Sequence, residues 1–468
     1  MGPNKMFLNE GNLTFKDITE QAGVAGMDGW TSGVSVADVN NDGLLDLYVG
    51  QIGEYQSIKG RNQLFICKGI ENGVPRYEDE AIYYGLDLKG FSTQAVFFDY
   101  DLDGDLDMFQ LNHSLHQNGT FGPKKAFEGK IHPLSGDKLL RNDKGKFVDV
   151  TAQAGIISTV IGYGLGIVTG DVNNDGYPDI YIGNDFHEND YLYLNQGDGT
   201  FKEAITEAMM HTSQFSMGVD MADINNDGWS DIISLDMLPE DPFILKSSLG
   251  EDNYGLYQYK LGHGYHNQYT RNNLQLNNGD GTFSEIGLFA GIAATDWSWS
   301  PLWIDFDSDG YKDLFISNGI PRRMNDIDFV KFQEDRGLQL KENSTRSVEE
   351  KELEVVEKMP QVKLPNKLFR NGGSLHFDDL TDQIGSSATS FSNGAVYADF
   401  DNDGDLDMVV NNLEDEPFIY KNLLRENNPA TASFLSFKFK GQKENIKGIG
   451  DKILIFKKNG SLQTEEFY

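Results

Sequence analysis

Short stretches in which apolar positions alternate with polar or small ones recur along the chain, always in pairs around one kind of polar turn. GVSVAD leads into such a turn at Asp38, and LDLYVG leaves it from Leu45. Period-two alternation of this kind predicts half-buried β-strands. A second paired pattern is interleaved with the first. It reads NKMFLNEGNLTFKDITEQAGV from Asn4, DKLLRNDKGKFVDVTAQAGI from Asp137 and NKLFRNGGSLHFDDLTDQIG from Asn366, with looser copies from Asn62, Asp190 and Asn272. In the copies at Asp190 and Asn272 the turn is Gly-Asp-Gly-Thr, where glycine supplies the positive φ that tight hairpins need. Each unit is thus four short strands joined by two kinds of turn. Repetition of a unit of about 40–50 residues predicts an all-β fold, a β-propeller of four-stranded blades. A parallel β-helix is the rival, but it requires tandem GGxGxD repeats without spacers, and the chain has none.

The turn inside the first pattern is a nine-residue loop, Asp-x-Asp/Asn-x-Asp-Gly-x-x-Asp, and it occurs six times. The copies are Asp38, Asn40, Asp42 and Asp46; Asp99, Asp101, Asp103 and Asp107; Asp171, Asn173, Asp175 and Asp179; Asp223, Asn225, Asp227 and Asp231; Asp305, Asp307, Asp309 and Asp313; and Asp399, Asp401, Asp403 and Asp407. Oxygen side chains at positions one, three, five and nine, with glycine at six, can curl around a hard divalent cation. Calcium takes six to eight oxygens at roughly 2.3–2.6 Å in a forgiving geometry, whereas magnesium retains water and zinc asks for nitrogen or sulfur. An acidic turn that merely exposes its carboxylates to water is the plain alternative. Recurrence in matching contexts favours calcium, about six ions, because like charges crowded without a cation repel.

Charge fits that reading. The formal net charge is -34, and six bound divalent ions would bring it to about -22 by simple addition. So acidic a chain is a poor ligand for nucleic acid or for an anionic membrane. No apolar run is long enough to span a bilayer. The single cysteine, Cys67, excludes an internal disulfide and reads as a semi-buried thiol in a strand. Sparse cysteine suggests a reducing compartment, but modest calcium sites need extracellular calcium. The balance predicts an extracytoplasmic bacterial protein without disulfides. No signal peptide is visible at Met1, so the chain reads as an internal piece of something longer.

Loop-to-loop spacings are 61, 72, 52, 82 and 94 residues. The half-unit at Asn4 has no metal loop before it. It favours a seven-bladed ring whose first metal hairpin lies upstream of Met1, with six blades and a swapped closing strand as the alternative. The last loop is followed by PFIYKNLL from Pro417. Two insertions stand out, at about 236–271 and 320–365; the second has helical spacing up to Pro360. Long insertions on a rigid scaffold often carry binding sites, though they also occur as solvated excursions. Trp297, Trp299 and Trp303 alternate before the fifth loop, which predicts one strand face. They suit either core packing between blades or an aromatic platform. His113 and His116 lack a third metal ligand. After Asn428-Pro429 the chain turns basic and alternating, and 429–468 reads as the first strands of another β domain.

The repeated [AG]-D-x-[ND]-x-D-G-x-x-D with hydrophobic flanks resembles the FG-GAP/VCBS repeat of integrin-α-like propellers. The tail KFKGQKENIKGIGDKILIFKKNGSLQTEE resembles the start of the ASPIC/UnbV domain. The pair is similar to surface-associated proteins of Bacteroidota, and more distantly to animal cartilage acidic proteins. The resemblance implies a calcium-binding propeller over 1–428, calcium in the blade hairpins, and adhesion or recognition at the cell surface or outer membrane.

Three functions follow as expectations. The first is a calcium-stabilised binding or adhesion module for a protein or glycan, with no catalytic residues. The second is a polysaccharide lyase or hydrolase on the propeller face, for which Tyr257, Tyr259, His263, His266 and Arg271 are the only candidates outside the loops. The third is a structural subunit of an outer-membrane glycan-uptake assembly, docked through the helical insertion.

Overall fold

The computed structural model describes residues 2–27, 29–54, 58–114, 122–250, 252–339, 353, 355–384, 388–427, 434–441, 445–458 and 460–467. Among the described residues, six antiparallel sheets of more than two strands follow one another along the chain, five of four strands and one of three. The first runs through Trp30–Ala37, Asp46–Ile52, Gln63–Glu71 and Val74–Asp79, each strand paired with the next in sequence. The others begin at Ser92, Gly164, Val219, Ser298 and Ser392 and repeat that order; the sixth ends with Phe418–Tyr420. The first strands of successive sheets touch in order from one to six, so the sheets are blades of a propeller arranged around their first strands. The all-β propeller expected from the sequence is the fold found.

Blades two to five are packed between two neighbours, and their strands present apolar side chains to both, while the first strands of blades one and six leave Val34, Val36 and Val396 exposed. Ile66, Leu64 and Tyr48 of blade one meet Phe97, Met108 and Leu140 of blade two. Equivalent clusters fill the junctions between blades two and three, three and four, four and five, and five and six. Burial of this kind stabilises by about 25 cal/mol per Å² of apolar surface and holds neighbouring blades face to face.

The amino-terminal half-unit forms a hairpin of Phe7–Asn9 and Phe15–Asp17. Its Ile18, Ala22 and Val24 pack against Val49, Phe65 and Val74 of blade one. On its other side Asn9 Nδ2 donates to the Phe400 carbonyl of blade six at 2.6 Å, and Phe15 meets Phe400 edge to face. The hairpin therefore sits between the sixth blade and the first, beside six blades of three or four strands.

Four-residue helical turns follow the hairpin and blades one, three and four. Three of them end on a glycine with φ near +80°, at Gly23, Gly85 and Gly291, which explains the AG and YG pairs of the repeat.

Each blade is sequential and antiparallel, so the Asp loops and the third-to-fourth turns lie at one end of it. The second-to-third connections lie at the other. That far end carries the insertions at 236–271 and 320–365, with helices at Pro242–Ser247, Tyr254–Gly262 and Ile327–Gln339. It also carries a third long connection, 113–137 of blade two, which the sequence reading passed over although the 72-residue loop spacing contained it.

The tryptophans do not share one face. The strand Ser298–Ile304 shifts register between Ser298 and Pro301. Trp303 is buried between blades four and five, while Trp297 and Trp299 join Phe215, Met217 and Ile320 in a separate cluster. An extra residue at a bulge resets the alternation, so the spacing alone misplaced them. The platform reading fails and the core reading stands.

Candidate metal centre

All six Asp loops adopt one conformation. Position four is left-handed in each (Asn41, Leu102, Asn174, Asn226, Ser308 and Asn402, φ between 55° and 60°), and so is the glycine at position six. The position-one carboxylate accepts the N–H of that glycine in every copy, at 2.8–3.1 Å. This contact closes the loop into a ring of carboxylates, and a Cβ-bearing residue at position six would strain it.

Position nine is the keystone. Its carboxylate accepts the N–H of position two through one oxygen, and through the other the N–H of a residue on the third strand. For Asp231 these are Ile224 at 3.0 Å and Asn277 at 2.8 Å. The pair recurs for Asp46, Asp107, Asp179, Asp313 and Asp407. At the opposite end of the blade the first residue of the second motif clamps the second strand in the same manner. Asn62, Asp137, Asp190, Asn272 and Asn366 each accept a backbone N–H from its end.

The third-strand residue that gives its N–H to position nine is Asn in five blades, and its side chain reaches outward. Asn195, Asn277, Asn371 and Asn422 donate Nδ2–H to the position-two carbonyl of the preceding blade's loop, at 2.7–2.8 Å. Asn9 makes the same bond to blade six. Loops two to six are thus each tied to the following unit by a side-chain amide, whereas Asn142 of blade two donates to the Leu106 carbonyl of its own loop. Blade one has Cys67 in this position, buried in its strand, and the amide bond to the preceding unit is replaced there by apolar packing.

The electrostatics are those of a site built for a cation. Burial pushes the Asp107 carboxyl up to about 9 and those of Asp179 and Asp313 up to about 8, with neighbouring loop carboxylates adding to the rise and backbone N–H groups opposing it. Asp46, Asp99 and Asp305 are raised to about 6 for the same first reason, and Asp231 well above the ordinary range. In loops two, five and six, oxygens from positions one, three and nine converge within 4.8 Å of one another. Asp99 is buried, and among the described residues its Oδ1 has no hydrogen-bond donor. Buried, crowded, under-satisfied carboxylates fit a hard divalent cation, which supplies the missing charge and takes the spare lone pairs. Asp99, Asp101, Asp103 and Asp107, and their counterparts in the other five loops, would hold it.

The loop ends are not bare. The carboxyl-terminal segment, with its hairpin Lys452–Phe456 and Leu462–Glu466, lies across them. Lys447 donates to the Gly43 carbonyl of loop one, and Lys452 to Asn174 Oδ1 of loop three. Glu466 accepts the Asp171 N–H at 2.9 Å, and Glu465 binds Lys312 beside loop five at 2.6 Å.

The residues proposed for catalysis only partly gather. Tyr257 hydrogen-bonds Asn267 and stacks on Tyr269, which also meets His211 edge to face and lies under Arg271. Arg271 and His211 share Glu285. Tyr259 and His263 instead stack on each other, and His266 is spent on the Met209 carbonyl. His211 was not foreseen, since it lies outside the insertion in sequence. His113 stacks against Phe91 and Tyr163, a packing role, and His116 lies outside the described residues.

Comparison with known proteins agrees with the geometry. A model of the FG-GAP-like repeat matches residues 1–49, 131–182, 171–234 and 264–316. The chain is 35% identical to cartilage acidic protein 1 of Mus musculus over 186 residues, 39% of this chain and 25% of that protein. It is 27% identical to phosphatidylinositol-glycan-specific phospholipase D of Bos taurus over 168 residues, 34% of this chain and 18% of the relative. The matched stretches therefore span a quarter or less of these relatives. Among solved structures, Trypanosoma rangeli sialidase aligns over 90% of this chain and 59% of its own with a TM-score of 0.39 and 9% identity, too loose a match to carry any argument. Among the described residues no helix is long and apolar enough to cross a membrane. The chain carries FG-GAP-like repeats folded as a β-propeller, and it resembles the cartilage acidic proteins over part of its length.

Proposed function

We propose that the protein is an extracellular, calcium-stabilised propeller that binds a protein or glycan partner, with calcium holding the blades and the insertion face doing the recognition. The observation that carries this reading is the division of labour between the two ends of the blades. The Asp loops lie at one end, where the carboxyl-terminal hairpin covers them. The three long connections meet at the other end and are laced together. The Lys124 N–H donates to the His263 carbonyl at 2.9 Å, Tyr265 Oη to Gly122, and the Leu249 N–H to Asn325 at 2.7 Å. This braid exposes Phe243, Leu249, Tyr254 and Tyr259, large side chains of the kind that anchor interfaces. A rigid support for exposed aromatics suits binding.

Two experiments test the proposal. Chelation with EGTA is expected to lower the melting temperature markedly, with calcium restoring it and elemental analysis finding calcium in the purified protein. Unchanged melting and no calcium would sink the metal half. A glycan and envelope-protein array probed with wild type and with a Phe243→Ala/Tyr254→Ala double variant tests the other half. Binding indifferent to the double variant would remove the insertion face from consideration. Polysaccharide turnover abolished by His211→Ala would replace binding with catalysis.

A further inference from the structure

The connection between the second and third strands of blade two roofs a cleft that neither the metal loops nor the exposed aromatics use. Its roof, within 122–134, folds as successive turns in which Ala126, Phe127 and Lys130 donate their N–H three residues back. The Lys124 N–H on the His263 carbonyl and the Phe91 N–H on the Leu134 carbonyl pin it at two points. Phe127 of the roof, with Ile156, Ile157 and Ile161 of the link from blade two to blade three, supplies apolar lining. The cleft encloses about 740 Å³, a size that suits a small molecule. None of the exposed aromatics of the recognition face lines it.

A buried carboxylate stands among these apolar walls. Glu188, in the second-to-third connection of blade three, lines the cleft and is 1% exposed. Its Oε1 accepts the Asn189 N–H at 3.0 Å and pairs with Lys124 Nζ at 2.7 Å. Its Oε2 is also buried, and among the described residues it has no hydrogen-bond donor. The backbone beneath it is fixed, since Gln268 Nε2 donates to the Glu188 carbonyl at 2.9 Å. The other charged groups at the cleft are engaged elsewhere. Lys138 pairs with Asp149 at 3.0 Å, and Glu128 is exposed to water. Asp137 accepts the Asn112 N–H at 2.9 Å, and burial pushes its carboxyl up to about 7.

These groups define the ligand. A water molecule satisfies Oε2 but gains nothing from the isoleucines around it, whereas an apolar body does. Whatever meets Oε2 has to donate a hydrogen, and it sits beside Lys124, which holds the other oxygen of the same carboxylate. An ammonium there is opposed by Lys124, and a carboxylate by Glu188. A hydroxyl suits both, because it donates to Oε2 and keeps lone pairs for Lys124. We propose that this cleft binds a neutral aliphatic alcohol, its hydroxyl on Glu188 Oε2 beside Lys124 and its chain along Ile156, Ile157 and Ile161. The site needs neither calcium nor the protein or glycan partner of the recognition face.

The test is calorimetric titration of the full chain, with saturation-transfer NMR to detect the bound probe. It is run at about pH 6, where Asp137 is largely protonated. The probes are 1-hexanol, 1-octanol and 1-decanol, with octylamine and octanoate as charged counterparts. Each added methylene should tighten alcohol binding by about two- to fourfold until the cleft is full. In the wild type 1-octanol should bind about tenfold more tightly than octylamine or octanoate. Ile131→Asp, at the exposed rim of the cleft, should weaken every alcohol severalfold without disturbing the fold. Glu188→Gln should weaken 1-octanol about tenfold and admit octanoate, which Lys124 then attracts unopposed. Should that variant not fold, Lys124→Met carries the reciprocal expectation, admitting octylamine against Glu188. A wild type that binds no alcohol, or binds octanoate or octylamine at least as tightly, would overturn the proposal. So would a folded Glu188→Gln or Lys124→Met protein whose head-group preference is that of wild type.

Discussion

Removing one inter-blade amide gives the sharpest test of what closes this fold. Asn277 is buried, donates Nδ2–H to the Val172 carbonyl of blade three at 2.8 Å and to Ser230 at 3.1 Å, and accepts the Gly279 N–H at 3.0 Å. Asn277→Ala deletes all three bonds and leaves two backbone carbonyls and one N–H to find other partners. A net hydrogen bond is worth about 1 kcal/mol, and a buried group left unsatisfied costs about 1–3 kcal/mol. The expected loss is about 2–4 kcal/mol, after allowing about 1 kcal/mol of side-chain entropy that alanine no longer forfeits. Asn9→Ala deletes the same amide bond where it is exposed to solvent, so it should cost less than about 1 kcal/mol. Urea unfolding in excess calcium, followed by circular dichroism and tryptophan fluorescence with coincident transitions, measures both. A loss at Asn277 under about 0.5 kcal/mol, or one no larger than at Asn9, would refute the claim that these amides bind blade to blade.

Two more outcomes follow from the structure. Trp303→Ala should destabilise the protein by about 3–5 kcal/mol, because Trp303 is buried between blades four and five; a neutral effect by denaturant titration would return it to the surface. The second concerns pH. Burial raises Asp107, Asp179 and Asp313 above their unfolded values, so the metal-free folded chain binds more protons than the unfolded chain between about pH 4 and pH 8. The stability these groups contribute is therefore full below about pH 4 and lost as pH rises toward 8–9. In EGTA the melting temperature should fall from pH 5 to pH 8, while in calcium it should rise, since protons compete with the ion. Parallel slopes in the two buffers would remove these carboxylates from the metal sites.

Much of this arrangement was legible in the sequence because it repeats. Alternation set the strands, and the six loops set their order, since both signals are local and period-bound. The register shift in Ser298–Ile304 was not legible, because a bulge is fixed by packing against neighbouring strands and not by composition. The connection at 113–137 went unread because it has neither the tyrosine-rich run that marked 236–271 nor the helical spacing that marked 320–365. The pairing of Arg370 with Asp307 was written in the sequence, but 63 residues separate the two and only the fold brings them to 2.6 Å. His211, far from Arg271 and Glu285 along the chain, shows the same limit.

The hairpin across the loop ends has a consequence for time rather than for affinity. Glu466 on Asp171 and Lys452 on Asn174 place protein directly over loop three, and Lys452 also reaches Gly228 of loop four. If calcium fills those loops as proposed, an ion leaving them would have to pass the hairpin, and exchange there would be slower than at a loop with no cover.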